Sequence, residues 1–205
     1  MMRLNKAVLY SLLVGVLLGV SAGCIAAIPH AVTSVVQIKV NFYDLQAPDL
    51  NTLAAQIRQL GPKEPSGRRV TGSARYQLRW LFDLKQAPGQ CLVKGGEVIT
   101  EIQVTLPNWE ESDAVSQQEQ RLWQRYLEAS GEYEEQHKWI VLDAAAQIAK
   151  SFDNLSRNDS CAQLRQQADA IGYRQLHLAA QKMRVFRERS ERGAKLGLSW
   201  PVTGS

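Results

Sequence analysis

The chain has 205 residues, of which 45% are apolar and 21% carry a formal charge. This composition is typical of a globular domain with a buried core and excludes a disordered tail. The formal charge of +4 falls to about +2 without Arg3 and Lys6 of the N-terminal leader, and both signs alternate along the rest. So weak a basic excess predicts no nucleic-acid partner.

The N-terminal segment predicts export. A basic leader over residues 1–6 precedes an uncharged stretch, residues 7–28, whose most apolar part is residues 8–20. A basic leader followed by an apolar run is typical of a secretory signal, and the whole stretch could also span a bilayer as an anchor helix. We therefore expect a signal peptide or membrane anchor over residues 1–28. The protein would reach the periplasm or cell envelope and contact the membrane through this segment.

Cys24 ends a short run of small residues, Ser21, Ala22 and Gly23. A small-residue pair before a cysteine is similar to a lipoprotein signal, in which that cysteine becomes lipidated. Ser21 departs from the aliphatic residue that such signals usually carry at its position. The sequence is therefore compatible with two interpretations of Cys24: it is lipidated, or it is an ordinary small residue at the end of a signal or anchor.

Export also bears on the two other cysteines, Cys91 and Cys161. In an oxidising compartment, two cysteines of one small domain most simply form a disulfide. This bond would close a loop of about 70 residues, which the chain-entropy model values at about 4 kcal/mol. Two buried free thiols are the alternative.

The first predicted elements are a strand and a short helix. Apolar and polar residues alternate over residues 34–43, which predicts a half-buried strand. Its apolar face carries Val36, Ile38, Val40 and Phe42. Asp49 is the expected N-cap of a helix that begins at Leu50 and stops at Gly61 and Pro62.

Two further strands follow from alternation over residues 74–84 and 98–106. The turn at residues 87–89 lies between them, so these two strands are expected to pair antiparallel. A Leu-Pro-Asn-Trp run at residues 106–109 is expected to end the sheet. Together the three strands predict a small antiparallel sheet with one face to cover.

Two long helices are predicted from helical periodicity over residues 115–155 and 161–192. The apolar stripe of the first carries Leu122, Tyr126, Tyr133, His137, Ile140, Val141, Ala144 and Ile148. We therefore predict an α+β fold in which these helices cover the sheet. One domain would span residues 29–193, with a loosely ordered tail over residues 194–205.

His137 is the candidate for metal chemistry. In the helical zinc motif His-Glu-x-x-His, two histidines one turn apart ligate the metal and the glutamate acts as general base. The run at residues 133–137 supplies the glutamate as Glu134 and the second histidine as His137. Tyr133 stands where the first histidine would be.

The exported part resembles the domain of unknown function 922 family, whose members are often described as predicted secreted zinc-dependent proteases. The resemblance rests on the order and spacing of several signals. These are the helix ending at residues 59–62, the strand with Trp80, Cys91, the run at residues 106–109 and Cys161. The resemblance implies a metallopeptidase-like fold with a bound zinc ion.

The same resemblance implies a third ligand, a histidine near the C-terminus, within a run that corresponds here to residues 186–193. That position is Arg192. Two of three expected ligands, at Tyr133 and Arg192, are therefore replaced. A permanent cation at Arg192 would repel a metal dication unless a carboxylate such as Glu134 offset it.

The leading hypothesis is a catalytically inactive envelope protein, a pseudoenzyme without cofactor that binds or scaffolds an unknown envelope protein or peptide. The alternative is a zinc-dependent peptidase or hydrolase with an altered site. His137 would then be a ligand beside Glu134, which would serve as ligand or as general base. Further carboxylates for such a site are Glu135, Asp143 and Glu188.

Structural roles for the same residues are open as well. His137 could be a hydrogen-bonded core histidine and Tyr133 a packing residue. Glu134 could pair with Arg192 in place of a metal, or face solvent. A metal-independent acid/base pair of Glu134 and His137 is a third functional possibility.

Overall fold

Three strands, three α-helices and a short 3-10 helix make up the fold. The computed structural model describes residues 32–64, 66–111, 115–155 and 157–198. The strands are β1 (Val32–Ala47), β2 (Ser73–Ala87) and β3 (Gln90–Glu111). The helices are α1 (Leu50–Leu60), α2 (Gln117–Asp153) and α3 (Cys161–Arg189), and the 3-10 helix is Ala194–Leu196.

The predicted α+β class with two long C-terminal helices is confirmed. The predicted signal or anchor helix over residues 1–28, including Cys24, lies outside the described residues. Within the part of the chain that the structure describes, no helix combines the length and apolar character needed to cross a membrane.

The sheet is mixed, which corrects the prediction of an antiparallel sheet. The strand order is β1-β3-β2. β2 and β3 pair antiparallel, as expected for strands joined by a short turn. β1 pairs with β3 in parallel, from Val32 opposite Gly96 to Ala47 opposite Glu111. A parallel pair needs a long crossover connection, which α1 and β2 supply between β1 and β3.

β3 continues through Pro107 to Glu111, so the run at residues 106–109 does not end the sheet. A proline is tolerated in a strand where its missing N–H would face no neighbour. The pairing of β2 with β3 stops at Thr105, opposite Ser73, and only β1 accompanies β3 beyond that point. Pro107 therefore lies where one side of β3 is already open.

The predicted core face of β1 is exposed along its middle, a second correction. Val36, Ile38, Val40 and Phe42 are 44%, 58%, 46% and 65% exposed, and we call them the apolar row of β1. β1 is the outer strand beside β3, and it enters the buried clusters only near its ends, through Val32, Leu45 and Ala47. The two long helices thus leave the middle of β1 uncovered.

One core cluster joins the C-terminal half of α2 and α3 to the sheet. Its buried members are Val32, Val98, Ala145, Ile148, Ala149, Phe152 and Ala168. Trp80 packs against it edge-on to Phe152, with ring centroids 6.4 Å apart, and its Nε1 donates to Asp169 Oδ1 at 2.8 Å. A Cβ on Gly172 would lie 2.4 Å from two carbons of this ring. The approach of α3 to β2 therefore requires glycine at that position.

The disulfide between Cys91 and Cys161 is confirmed, and it ties the start of β3 to the start of α3. Cys91 is fully buried. Its backbone also exchanges two hydrogen bonds with the backbone of Asn158, in the segment just before α3. Covalent and backbone bonds thus anchor α3 to the sheet at the same place.

A second core cluster gathers α1, the ends of β1 and β3 and the start of α2. It contains Leu45, Ala47, Leu53, Ile57, Trp109, Val115 and Trp123. Asp49 caps α1 as predicted, since its Oδ1 accepts from the backbone N–H of Thr52 at 2.7 Å. The residue that α2 buries in this second cluster is Trp123, whereas its neighbour Leu122, which belongs to the predicted stripe, is 39% exposed.

Candidate functional site

A cluster of three rings lies where α2 and the C-terminal end of α3 meet. Tyr133 and His137 are one turn apart on α2 and therefore share a face of the helix. Their ring centroids lie 4.6 Å apart, edge to face. Phe186 of α3 closes the cluster, at 5.3 Å from the Tyr133 ring and 5.2 Å from the His137 ring.

His137 is buried, with 8% of its surface exposed. Its Nδ1 has no hydrogen-bond partner within the described residues. Glu134 Oε2 lies 3.8 Å from this nitrogen, which is too far for a hydrogen bond. Burial lowers the pKa of His137 and the cation of Arg187 lowers it further, whereas a polar contact with the Tyr133 backbone, which does not reach hydrogen-bond geometry, raises it. These effects favour a neutral imidazole.

Glu134 is held by Tyr76 of β2. The Tyr76 hydroxyl lies 3.2 Å from Glu134 Oε2 and 3.2 Å from the Glu134 backbone carbonyl, so its proton is shared between two acceptors. The Glu134 side chain is 32% exposed. Burial raises its pKa, while the bond from Tyr76 acts in the opposite direction. Glu134 thus neither faces open solvent nor forms a salt bridge with Arg192 in the described structure.

Arg192 lies in the turn that follows α3. Both Glu191 and Arg192 adopt left-handed backbone angles, with φ of 51° and 57°, which non-glycine residues seldom do. The Arg192 N–H donates to the carbonyl of Arg187 at 2.7 Å and helps to close the turn. The 3-10 helix Ala194–Leu196 follows directly, at the start of the segment expected to be a loose tail.

The charges of this turn act on Tyr133. Burial is the main cause that raises the pKa of Tyr133, and the Glu134 charge adds to it. The cations of Arg187 and Arg192 oppose this rise. Tyr133 and Arg192, the two positions for which the sequence predicts replaced ligands, are therefore close enough for the charge of one to act on the other.

Metal donors at this place are His137 and Glu134. A catalytic zinc takes three protein ligands and a water. Within the described residues, no three His, Cys, Asp or Glu side chains come together. Two of the other candidate carboxylates have lysine partners: Asp143 lies 2.7 Å from Lys182, and Glu135 lies 2.5 Å from Lys138. The donor set among these residues is thus one short of a usual catalytic zinc site.

Sequence reasoning missed Tyr76 and Arg187. Tyr76 belongs to the alternating pattern of β2 and lies 58 residues from Glu134, so no local pattern links the two. Arg187 is one of several cations in the last turns of α3, and no pattern distinguishes it from its neighbours.

An open groove of about 400 Å³ runs along α3 beside the ring cluster. Its lining is mainly apolar and includes two cations: the lining residues are Leu178, Gln181, Lys182, Val185, Phe186 and Arg189. Phe186 is common to the groove and the ring cluster, whereas Glu134 and His137 do not line the groove. No acid or base of the candidate site therefore faces it.

The chain matches the family described as "Bacterial protein of unknown function (DUF922)" over residues 40–193. This range runs from the middle of β1 to the turn after α3 and includes the whole ring cluster. No curated protein and no solved structure matches the chain.

Proposed function

The chain belongs to the DUF922 family, and on that premise we propose that it is an exported, catalytically inactive member that binds another envelope protein or peptide. In this proposal the fold is that of a metallopeptidase-like domain that has lost its metal. Residues 1–28 deliver it to the envelope, either as a cleaved or lipidated signal or as an anchor.

The observation that carries this proposal is the ring cluster. Tyr133 stands at the position of the first expected histidine, with its ring against His137 at 4.6 Å. Phe186 packs on both rings from α3. An aromatic cluster of this kind stabilises the contact between α2 and α3 by dispersion and edge-to-face attraction. Packing thus accounts for the position of the His137 ring without a metal.

Charge also supports an empty metal position. The cations of Arg187 and Arg192 both act on Tyr133, and the carboxylates of Glu134 and, more weakly, Glu64 act in the opposite direction. Guanidinium groups keep their charge at every pH at which proteins are stable. A zinc dication near Tyr133 would therefore meet two permanent cations, opposed by the carboxylate of Glu134 and, more weakly, by that of Glu64.

The experiment restores the missing ligands. Full-length chain is purified in mild detergent, without chelator or affinity metal, and its zinc is counted by elemental mass spectrometry. Tyr133→His/Arg192→His is compared with native chain and with Tyr133→Phe, which keeps the ring and removes only the hydroxyl. The proposal expects about one zinc per chain in the double variant alone. Zinc in the native chain and in Tyr133→Phe would overturn it.

A zinc hydrolase with an altered site is the second candidate, and a specific observation favours it. His137 Nδ1 is buried without a hydrogen-bond partner among the described residues, and Glu134 Oε2 lies 3.8 Å from it. Two ligands that share one zinc, each about 2 Å from the ion, can lie at such a separation. This candidate expects zinc in the native chain, loss of that zinc in Glu134→Ala, and chelator-sensitive cleavage of a protein substrate.

Attachment to the envelope has its own test. Native chain and Cys24→Ser are expressed in a bacterium fed a radiolabelled fatty acid, and the cells are fractionated. Label in the native chain alone assigns lipidation to Cys24. An unlabelled native chain in the membrane fraction assigns an uncleaved anchor, and a chain that stays in the cytoplasm would overturn export.

A further inference from the structure

β1 presents an edge of the sheet that faces away from β3. In a strand, the N–H and C=O of one residue point to the same edge, and the edge alternates from one residue to the next. The N–H and C=O of Gln46 both bond to the side chain of Gln56, outside the sheet. The pairing of β1 with β3 has no register shift. Even-numbered residues of β1 therefore direct their backbone groups outward.

These outward groups belong to the same residues as the apolar row of β1. From Ser34 to Phe42, the even-numbered residues have no backbone hydrogen-bond partner within the described part of the chain. An open strand edge beside exposed apolar side chains is the surface that binds an added strand. Backbone bonds supply affinity in such a contact, and the side-chain row supplies selectivity.

A second copy of this chain is a poor occupant for this edge. A two-fold axis requires the two copies of β1 to pair antiparallel. The register that matches the whole apolar row sets Val36 opposite Phe42 and Ile38 opposite Val40. This register also sets Lys39 opposite Lys39 of the second copy, and like charges directly opposite each other destabilise a strand pair. A lysine in an edge strand is a known barrier to self-pairing.

The same lysine favours an acidic partner. On the face opposite to the apolar row, Lys39 lies beside Gln103 of β3, and Arg75 of β2 lies beyond it in the same row. Lys39 and Arg75 have no salt bridge within the described residues, whereas nearby Arg79 pairs with Glu101 at 2.7 Å. An added strand with a carboxylate beside Lys39 would meet an unpaired cation.

We propose that the outer edge of β1 binds an extended segment of another protein by strand addition. The segment alternates apolar residues, which lie against the apolar row of β1, with polar residues that include an Asp or Glu beside Lys39. The inference rests on the proposed function only in taking the protein as a binding module. It does not depend on the state of the metal position.

The test uses full-length chain in lipid nanodiscs and a short fluorescent peptide that alternates valine with threonine and carries one central glutamate. Fluorescence anisotropy measures its binding to native chain and to three variants. Ile38→Pro removes one outward N–H without touching the ladder to β3, and Phe42→Asp changes the apolar row. Leu81→Asp, on β2, is the matched control because Leu81 is 53% exposed on the other outer strand. Circular dichroism verifies that each variant keeps the native fold.

Saturable binding is expected for native chain and Leu81→Asp, with binding about tenfold weaker in Ile38→Pro and Phe42→Asp. A peptide with lysine in place of glutamate should bind more weakly to native chain, and Lys39→Glu should reverse that order. A native chain that binds no peptide, or variants that all bind equally, would overturn the inference. The inference would also be overturned if native chain sediments as a dimer and Ile38→Pro sediments as a monomer, because the edge of β1 would then bind a second copy of the chain. If the native chain contains zinc and still binds the peptide, the proposal of an inactive, metal-free site is refuted and the inference about β1 stands.

Discussion

Replacement of Gly172 by alanine tests how closely α3 approaches the sheet. The new Cβ would lie 2.4 Å from two carbons of the Trp80 ring and 2.7 Å from a third. The ring has little freedom to move, because its Nε1 donates to Asp169 at 2.8 Å and because the ring makes T-shaped contacts with Phe152 and Tyr173. Either the ring or α3 must therefore shift.

The size of the effect follows from two opposing terms. Overpacking of a filled core costs about 1–3 kcal/mol, and a separation of 2.4 Å places Gly172→Ala at the upper end. Alanine in a helix interior gains about 1 kcal/mol over glycine. The net expectation is a loss of about 2 kcal/mol. Gly131→Ala on α2 is the control, because nothing lies within 4 Å of its Cβ. Its expected effect is therefore only the gain of about 1 kcal/mol from the higher helix propensity of alanine.

Guanidinium unfolding followed by far-UV circular dichroism gives the free energy of unfolding of both variants and of native chain. The two variants should differ by about 3 kcal/mol, with native chain between them. A Gly172→Ala chain as stable as native chain, beside a stabilised Gly131→Ala chain, would refute the close contact of α3 with Trp80.

Three further predictions concern single contacts. Replacement of both Cys91 and Cys161 by alanine should lower the free energy of unfolding by about 4 kcal/mol, since the bond closes a loop of 70 residues; unchanged denaturant midpoints would contradict this. Tyr76→Phe should cost about 1–2 kcal/mol in the same assay, because Glu134 loses its donor, and a neutral result would remove Tyr76 from the site. The bond from the Thr52 N–H holds the pKa of Asp49 below its usual range, so the stability that the Asp49 charge contributes is lost as pH falls through that lowered value. The stability of Asp49→Asn should fall less over that acid range than that of native chain, and parallel pH profiles would contradict the capping role.

Local patterns in the sequence were enough to predict the elements and their class. Asp49 identified the start of α1 because an N-cap acts through neighbours three residues away. Alternation identified all three strands, with the central strand running beyond its predicted end. The disulfide followed from the cysteine count and the predicted compartment, as the simpler of two possibilities.

Such local patterns could not predict the direction of β1 or which part of the sheet the helices cover. Alternation of apolar and polar residues is the same for parallel and antiparallel strands, so the direction of β1 could not be read from it. The pattern also cannot tell which apolar face a helix will cover. The apolar row of β1 has the signature of a core face, but it is exposed because β1 enters the buried clusters only near its ends, at Val32 and at Leu45 and Ala47.

In the candidate site, too, some contacts could be predicted from the sequence and others could not. Tyr133 and His137 are one helical turn apart, and their contact follows from that spacing alone. The resemblance to a family singled out Arg192, whose charge acts on Tyr133 of α2 from the turn that follows α3. Tyr76 reaches Glu134 from a different strand, and only the folded chain brings the two together.

The central claim is that the native chain has no catalytic metal, and its zinc content tests this most directly. Full-length native chain is produced in zinc-supplemented medium, purified without chelator, and measured by elemental mass spectrometry beside His137→Ala. We predict that both preparations carry the same trace amount, well below one zinc per chain. About one zinc per native chain, lost in His137→Ala, would contradict the account and identify His137 as a working ligand.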